Sequence, residues 1–199
     1  MKLPDILPVL LALPMGAFAD SHIRPFIGYD FSLASTSSVR IKQSNHTEVK
    51  ADSFSFNNDN VGSFGIGVEF DDVMAVYVTP IFDNAKVKFA GATSVAKATE
   101  IDTAFNFYLT RKSNFKPFVS LNVGYISIDD DDYYKASGAN LGVSLGCKQY
   151  INNHIYLFAN AGYKFSTEMD VKKDHGLSAS DKDMKISGFN LSIGGGFRF

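Results

Sequence analysis

Phe189-Asn190-Leu191-Ser192-Ile193-Gly194-Gly195-Gly196-Phe197-Arg198-Phe199 alternates between two kinds of residue, with Gly195 a gap in the apolar row. Phe189, Leu191, Ile193, Phe197 and Phe199 share one parity. Asn190, Ser192, Gly194, Gly196 and Arg198 share the other. Successive side chains of a strand point to opposite faces. One face of this segment is therefore apolar and aromatic, and the other is small, polar or charged. A soluble sandwich produces the same alternation, but it would cover such an end. Lipid on the apolar face and a lumen on the polar face account for both rows.

Seven further segments upstream show the same pattern. The first spans Ile23 to Leu33, with Ile27, Tyr29, Phe31 and Leu33 opposing Arg24, Gly28, Asp30 and Ser32. In the second, Gly62 to Phe70, Phe64, Ile66, Val68 and Phe70 oppose Ser63, Gly65, Gly67 and Glu69; the parity runs back through Phe54 and Phe56. The third, Val73 to Phe82, is apolar on both parities. Its preferred register puts Met74, Val76, Val78 and Phe82 outward, and Pro80 then demands a bulge or a place above the membrane. The fourth, Thr99 to Leu109, sets Ile101, Phe105 and Phe107 against Glu100, Asp102 and Asn106. The fifth, Phe118 to Ile128, the sixth, Gly138 to Tyr150, and the seventh, Ile155 to Phe165, follow suit.

The connections alternate too. Asp71-Asp72, Arg111 to Lys116 and Asn152-Asn153 are short turns. Ala34 to Asp52, Asp129 to Ser137 and Ser166 to Met184 are long. Gly91-Ala92-Thr93 is a short tip on extended flanks. Short turns on one side and long loops on the other match a bacterial barrel with its long loops extracellular. The expected fold is all-β, an eight-stranded antiparallel up-and-down transmembrane barrel. Lipid cannot satisfy an open sheet edge, so the sheet must close.

Lys2, the apolar run Ile6 to Leu13 and Ala17-Phe18-Ala19 form an export signal with cleavage expected after Ala19. That run is far shorter than the roughly 20 residues of a spanning helix. Residues 1–19 are thus assigned to a signal peptide and 20–199 to one barrel domain. The formal charge of −2 gives no basic field for nucleic acid. A single cysteine, Cys147, excludes an internal disulfide; its parity faces lipid. Eighteen Phe and sixteen Gly, with no Trp, suit strands alternating large outward with small inward residues. Tyr29, Tyr125 and Tyr163 fall where an interfacial girdle lies.

The ending resembles the terminal strand of bacterial outer-membrane barrels, in which a final Phe after alternate apolar residues serves as an assembly signal. The match covers Leu191, Ile193, Phe197 and Phe199. The whole pattern resembles small eight-stranded barrels of the OmpA, OmpX and opacity-protein kind, barrel only, without a peptidoglycan-binding domain. The resemblance implies an outer-membrane location, contact with outer-membrane lipids and lipopolysaccharide, and insertion by the barrel-assembly machinery. It implies a monomer with a structural role in the envelope, whose extracellular loops meet a host or surface ligand. A small porin passing ions or small polar solutes is the alternative, and a lipid A-modifying enzyme a weaker one.

The inward parity carries Arg24, Lys148, Lys164 and Arg198 against Asp30, Glu69, Glu100 and Asp102. An eight-stranded barrel is just wide enough for side chains to fill. A plugged lumen with a salt-bridge network is therefore expected, with Arg24, Glu100 and Arg198 near enough to strand ends to sit at a wet rim. No cofactor and no enzymatic activity are expected. His22, His46, His154 and His175 are scattered, without metal-ligand spacing. His175 and Ser178 share a loop but lack the tight His-x-Ser arrangement of outer-membrane lipid A deacylases. Asp129 to Asp132, before Tyr133 and Tyr134, is either a divalent-cation site or, the favoured reading, a solvated acidic loop.

Overall fold

The computed structural model describes residues 23–42, 48–50, 53–56, 62–89, 92–130, 134–172 and 183–199. The proposed signal peptide, His22, His46, His175, Ser178 and residues 131–133 lie outside the described residues. The strands are β1 (Ile23–Lys42), β2 (Glu48–Lys50), β3 (Ser53–Phe56), β4 (Ser63–Phe70), β5 (Met74–Phe89), β6 (Ala92–Tyr108), β7 (Phe115–Asp130), β8 (Tyr134–Tyr150), β9 (Ile155–Ser166), β10 (Met169–Lys172) and β11 (Asp183–Arg198). Eight staves, β1, β4, β5, β6, β7, β8, β9 and β11, pair in chain order, every pair antiparallel. β1 then pairs with β11 from Phe26↔Arg198 to Lys42↔Asp183 and closes the barrel. β3 extends the second stave beside β5, and β10 extends the seventh beside β8 and β11.

Parity sets the two faces as expected. Leu191, Ile193, Phe197 and Phe199 are 36 to 51 % exposed on the outer wall, while Ser192 and Arg198 are buried inside. Tyr29, Tyr125 and Tyr163 point outward, and Cys147, on the outward parity, is half-buried. β5 takes the preferred register, with Ala75 and Thr79 buried and Phe82 exposed. Pro80 requires no bulge. It faces Ile101 in an unshifted β5–β6 register, and described pairing to β4 ends at Val78 and resumes with β3 at Ala85. That interval tolerates a residue without an N–H.

The strands run further than the alternation alone predicts. β1 continues to Lys42 instead of ending at Leu33, β11 starts at Asp183 instead of Phe189, and β10 occupies part of the expected loop from Ser166 to Met184. β7 and β8 likewise extend to Asp130 and back to Tyr134, narrowing the expected loop from Asp129 to Ser137. A membrane-spanning strand needs about 9–11 residues, whereas β6 and β8 have 17 each. The excess lies on the long-loop side.

The reason β1 looks short is a bulge. Its register with β11 shifts between Ser32 and Ala34, so Leu33 is the extra residue. An extra residue exchanges the faces beyond it. Leu33 is exposed, yet Val39, of the same parity, is fully buried. At the opposite end, Val73 N–H donates to Phe70 C=O at 2.9 Å across Asp71 and Asp72, which have φ of 49° and 58°. Two positive φ values make the primed hairpin turn that follows strand twist, and Asp tolerates it.

In a Cys147→Ser background, Arg40→Cys is expected to react readily with a bulky water-soluble maleimide, and Val39→Cys to be protected. The opposite ranking would show that β1 has no bulge.

Candidate functional site in the barrel lumen

The lumen is filled at both ends by different chemistry. At the short-turn end, inward parity brings Glu69 of β4, Lys116 of β7, Lys148 of β8 and Arg198 of β11 to one level. Glu69 is 1 % exposed. Its Oε1 accepts from Lys116 Nζ at 3.1 Å and from an Arg198 guanidinium nitrogen at 3.3 Å. Its Oε2 lies 3.5 Å from Lys148 Nζ and accepts from Tyr108 Oη at 3.3 Å and from Tyr150 Oη. Lys148 Nζ also donates to Tyr108 Oη at 3.0 Å and sits 4.2 Å over the Tyr156 ring and 4.3 Å over Phe26. Arg198 lies 4.3 Å over Tyr150. One carboxylate is thus held by three cations and two phenols, inside a cage of aromatic rings. A buried charge is tolerable only when paired and hydrogen-bonded in this way.

Arg24 does not join this group. It lies at the rim, 44 % exposed, 3.1 Å from Asp72. Asp72 also pairs with Lys116, and lies 3.8 Å from Arg198. Lys116 and Asp72 escaped the sequence analysis because both were assigned to turns. Lys116 begins the inward row Lys116, Phe118, Ser120, so its parity was the available signal. The neighbouring turn also secures the chain end. His154 Nδ1 lies 3.0 Å from Arg198 C=O, its ring stacks on Phe197, and Arg198 Nε donates to Asn153 C=O at 3.0 Å.

Midway up, Lys164 of β9 reaches Glu100 at 3.1 Å and also pairs with Asp102, both from β6. Asn140 Nδ2 donates to Glu100 Oε1. Asp30 faces the same space without an ion pair at this level, among the described residues. The eight charges named from sequence therefore fall into two groups and a rim residue. With Lys116 and Asp72 added, and Arg24 left at the rim, the lower group holds Lys116, Lys148 and Arg198 against Glu69 and Asp72, three minus two, or +1. The middle group holds Asp30, Glu100 and Asp102 against Lys164, three minus one, or −2.

At the long-loop end the lumen turns apolar. Val39, Ala96, Ala98, Ile126, Ile128, Ala136, Met169, Met184 and Ile186 form a buried cluster. The available signal for this second plug was Ile126 and Ile128, apolar on the inward parity of the fifth segment; Val39 was hidden by the bulge, and Met169 and Met184 fell in an expected loop. Asp129 of the acidic stretch pairs with Lys135 at 2.7 Å, and among the described residues no three His, Cys, Asp or Glu are placed to hold a metal ion.

Solved structures share this architecture. The outer membrane protein AlkL, determined by solid-state NMR in DMPC bilayers, matches with a TM-score of 0.66 at 16 % identity, over 88 % of this chain and 90 % of that one. The fold is that of the small outer-membrane β-barrels. The outer membrane protein OprG from Pseudomonas aeruginosa matches with a TM-score of 0.51 at 18 % identity, over 89 % and 94 %. Neisserial surface protein A matches with a TM-score of 0.50 at 16 % identity, over 88 % and 97 %. No protein-family model matches the chain, and no curated protein matches it in sequence.

Replacing Glu69 by Gln leaves three cations packed together without their carboxylate. A loss of about 3–5 kcal/mol is expected, read from urea unfolding of the refolded barrel. Asp129→Asn, which breaks an exposed pair, is expected to cost under about 1 kcal/mol. Equal losses would remove Glu69 from the centre of the plug.

Proposed function

We propose that the protein is a plugged, non-enzymatic outer-membrane barrel that contributes to envelope integrity and meets its surroundings through the strand extensions and loops of its long-loop side. The observation that carries this reading is the double closure of the lumen, ionic and aromatic at one end and aliphatic at the other. The outer wall supports the location. Leu121, Val123, Val143, Leu145 and Leu157 are exposed large apolar side chains on adjacent staves, a surface that lipid covers and water does not.

The extensions support the partners. Arg40 and Lys86 are exposed on the outward parity beyond the apolar band, where they suit the phosphates of lipopolysaccharide through charge-assisted hydrogen bonds. The outward row Leu191, Ile193, Phe197 and Phe199 suits recognition by the barrel-assembly machinery. Surface ligands of a host or neighbouring cell would meet the same extensions.

In a planar lipid bilayer the refolded protein is expected to give no large stable conductance. A stable channel would favour a small porin instead. Lipid A incubated with the protein is expected to keep its mass, and a mass change would establish an enzyme.

A further inference from the structure

Between the two plugs lies a partly open cavity of about 220 Å³, whose lining reaches Ser35, Ser37, Ile81 and Asp83 on the long-loop half. Five buried side-chain atoms among the described residues lack any hydrogen-bond partner: Asp30 Oδ1, Tyr77 Oη, Asp102 Oδ1, Asn140 Oδ1 and Asn160 Oδ1. Every one of these residues lines that cavity. All five atoms are oxygens, and four of them, the carboxylate and amide oxygens, only accept. Buried polar atoms in folded proteins are nearly always paired. Five orphans facing one space therefore point to something that fills it.

The chemistry of that occupant follows from charge and placement. The group around the cavity holds three carboxyl groups, Asp30, Glu100 and Asp102, against the one ammonium of Lys164, a formal excess of −2. Asn140 and Asp102 are 4 % and 8 % exposed. Their free oxygens converge over Gly124, where a Cβ would collide with both. Glycine is needed there to leave the space open. Tyr77 Oη lies towards a different part of the wall, 2.9 Å from the place a Gly28 Cβ would take. The five oxygens come from β1, β5, β6, β8 and β9. Those of Asp102 and Asn140 meet over Gly124, whereas that of Tyr77 lies beside Gly28 on other staves. An elongated ligand reaches both places, if it carries N–H donors and positive charge at each end. The rings of Tyr77, Tyr156 and Phe158, which belong to the lower aromatic cluster, also line the cavity and offer it apolar surface.

We propose that the lumen cavity binds a small aliphatic diamine, which enters below the aliphatic plug past Ser35, Ser37, Ile81 and Asp83, one ammonium at Asp102 and Asn140 and the other towards Asp30 and Tyr77. Each ammonium brings three donors and no acceptor. The two positive charges face the carboxyl groups of Asp102 and Asp30, and the methylene chain lies along the aromatic rings. The proposal deepens the plugged-barrel reading and rests on it. A conducting channel would sink that reading, whereas absent diamine binding in a non-conducting barrel would sink only this one.

The test is calorimetric titration of the full refolded barrel in detergent with 1,4-diaminobutane, with butylamine and calcium chloride as comparison ligands. Saturable one-to-one binding is expected, at least ten-fold tighter than that of butylamine and not displaced by equimolar calcium. Asp102→Asn is expected to weaken it ten-fold or more. Gly124→Ala, which keeps every charge, is expected to weaken it too, and Asp129→Asn to leave it unchanged. Folding of each variant is checked by its boiled and unboiled mobility. No saturable binding by the unaltered protein, or equal affinity for diamine and monoamine, overturns the proposal without reliance on any variant and leaves ordered water as the occupant. Unchanged binding in a folded Asp102→Asn overturns it as well.

Discussion

The β1–β11 seam is the constraint on which everything else depends. A sheet with an apolar outer wall has no water to satisfy its edges, so its first and last staves must meet. Here they meet along almost their whole length, from Phe26↔Arg198 to Lys42↔Asp183. The chain end is fastened on both sides of that seam, through Phe199 N–H to Pro25 C=O at 2.9 Å and through the His154 turn. Closure also decides the interior. Once eight staves are joined, inward side chains have only one another, so their charges must find partners across the lumen.

Those partners are arranged in layers. The lowest layer concentrates positive charge around Glu69, and rings shield it from water. The middle layer carries the opposite excess. Coulomb attraction between layers of opposite sign reinforces each and is little screened where water is excluded. Above them the aliphatic cluster around Ile128 and Met184 needs no partner at all. The cavity sits at the level where charge is least balanced and packing least complete, which is why a ligand has room and reason to bind there.

The barrel itself was legible because lipid and lumen impose opposite demands on alternate residues, and a period of two survives in a single sequence. The terminal row from Phe189 to Phe199 shows this most plainly. The inward charges were legible for the same reason. What escaped detection has definite physical causes. The Leu33 bulge exchanged the faces of β1, so Val39 looked like a loop residue. Lys116 and Asp72 sit beside turn residues of the same polarity, and only the third dimension brings them to Glu69. Strand extensions above the apolar band lose the lipid-facing signal, because both faces of such a strand may be polar without penalty. The division of the charges into two groups was illegible in principle, since it depends on strand register and stagger rather than on parity.

The chain contains no tryptophan, so single tryptophans report without background. The most direct test places one at Leu145, one at Leu157 and one at Tyr156, and measures quenching by lipids brominated on their acyl chains. Leu145 and Leu157 are outward and exposed, whereas Tyr156 is buried in the lumen. Strong quenching of Leu145→Trp and Leu157→Trp, with little for Tyr156→Trp, is the result that a lipid-embedded closed barrel predicts. Quenching of all three by aqueous iodide and none by brominated lipid would contradict it.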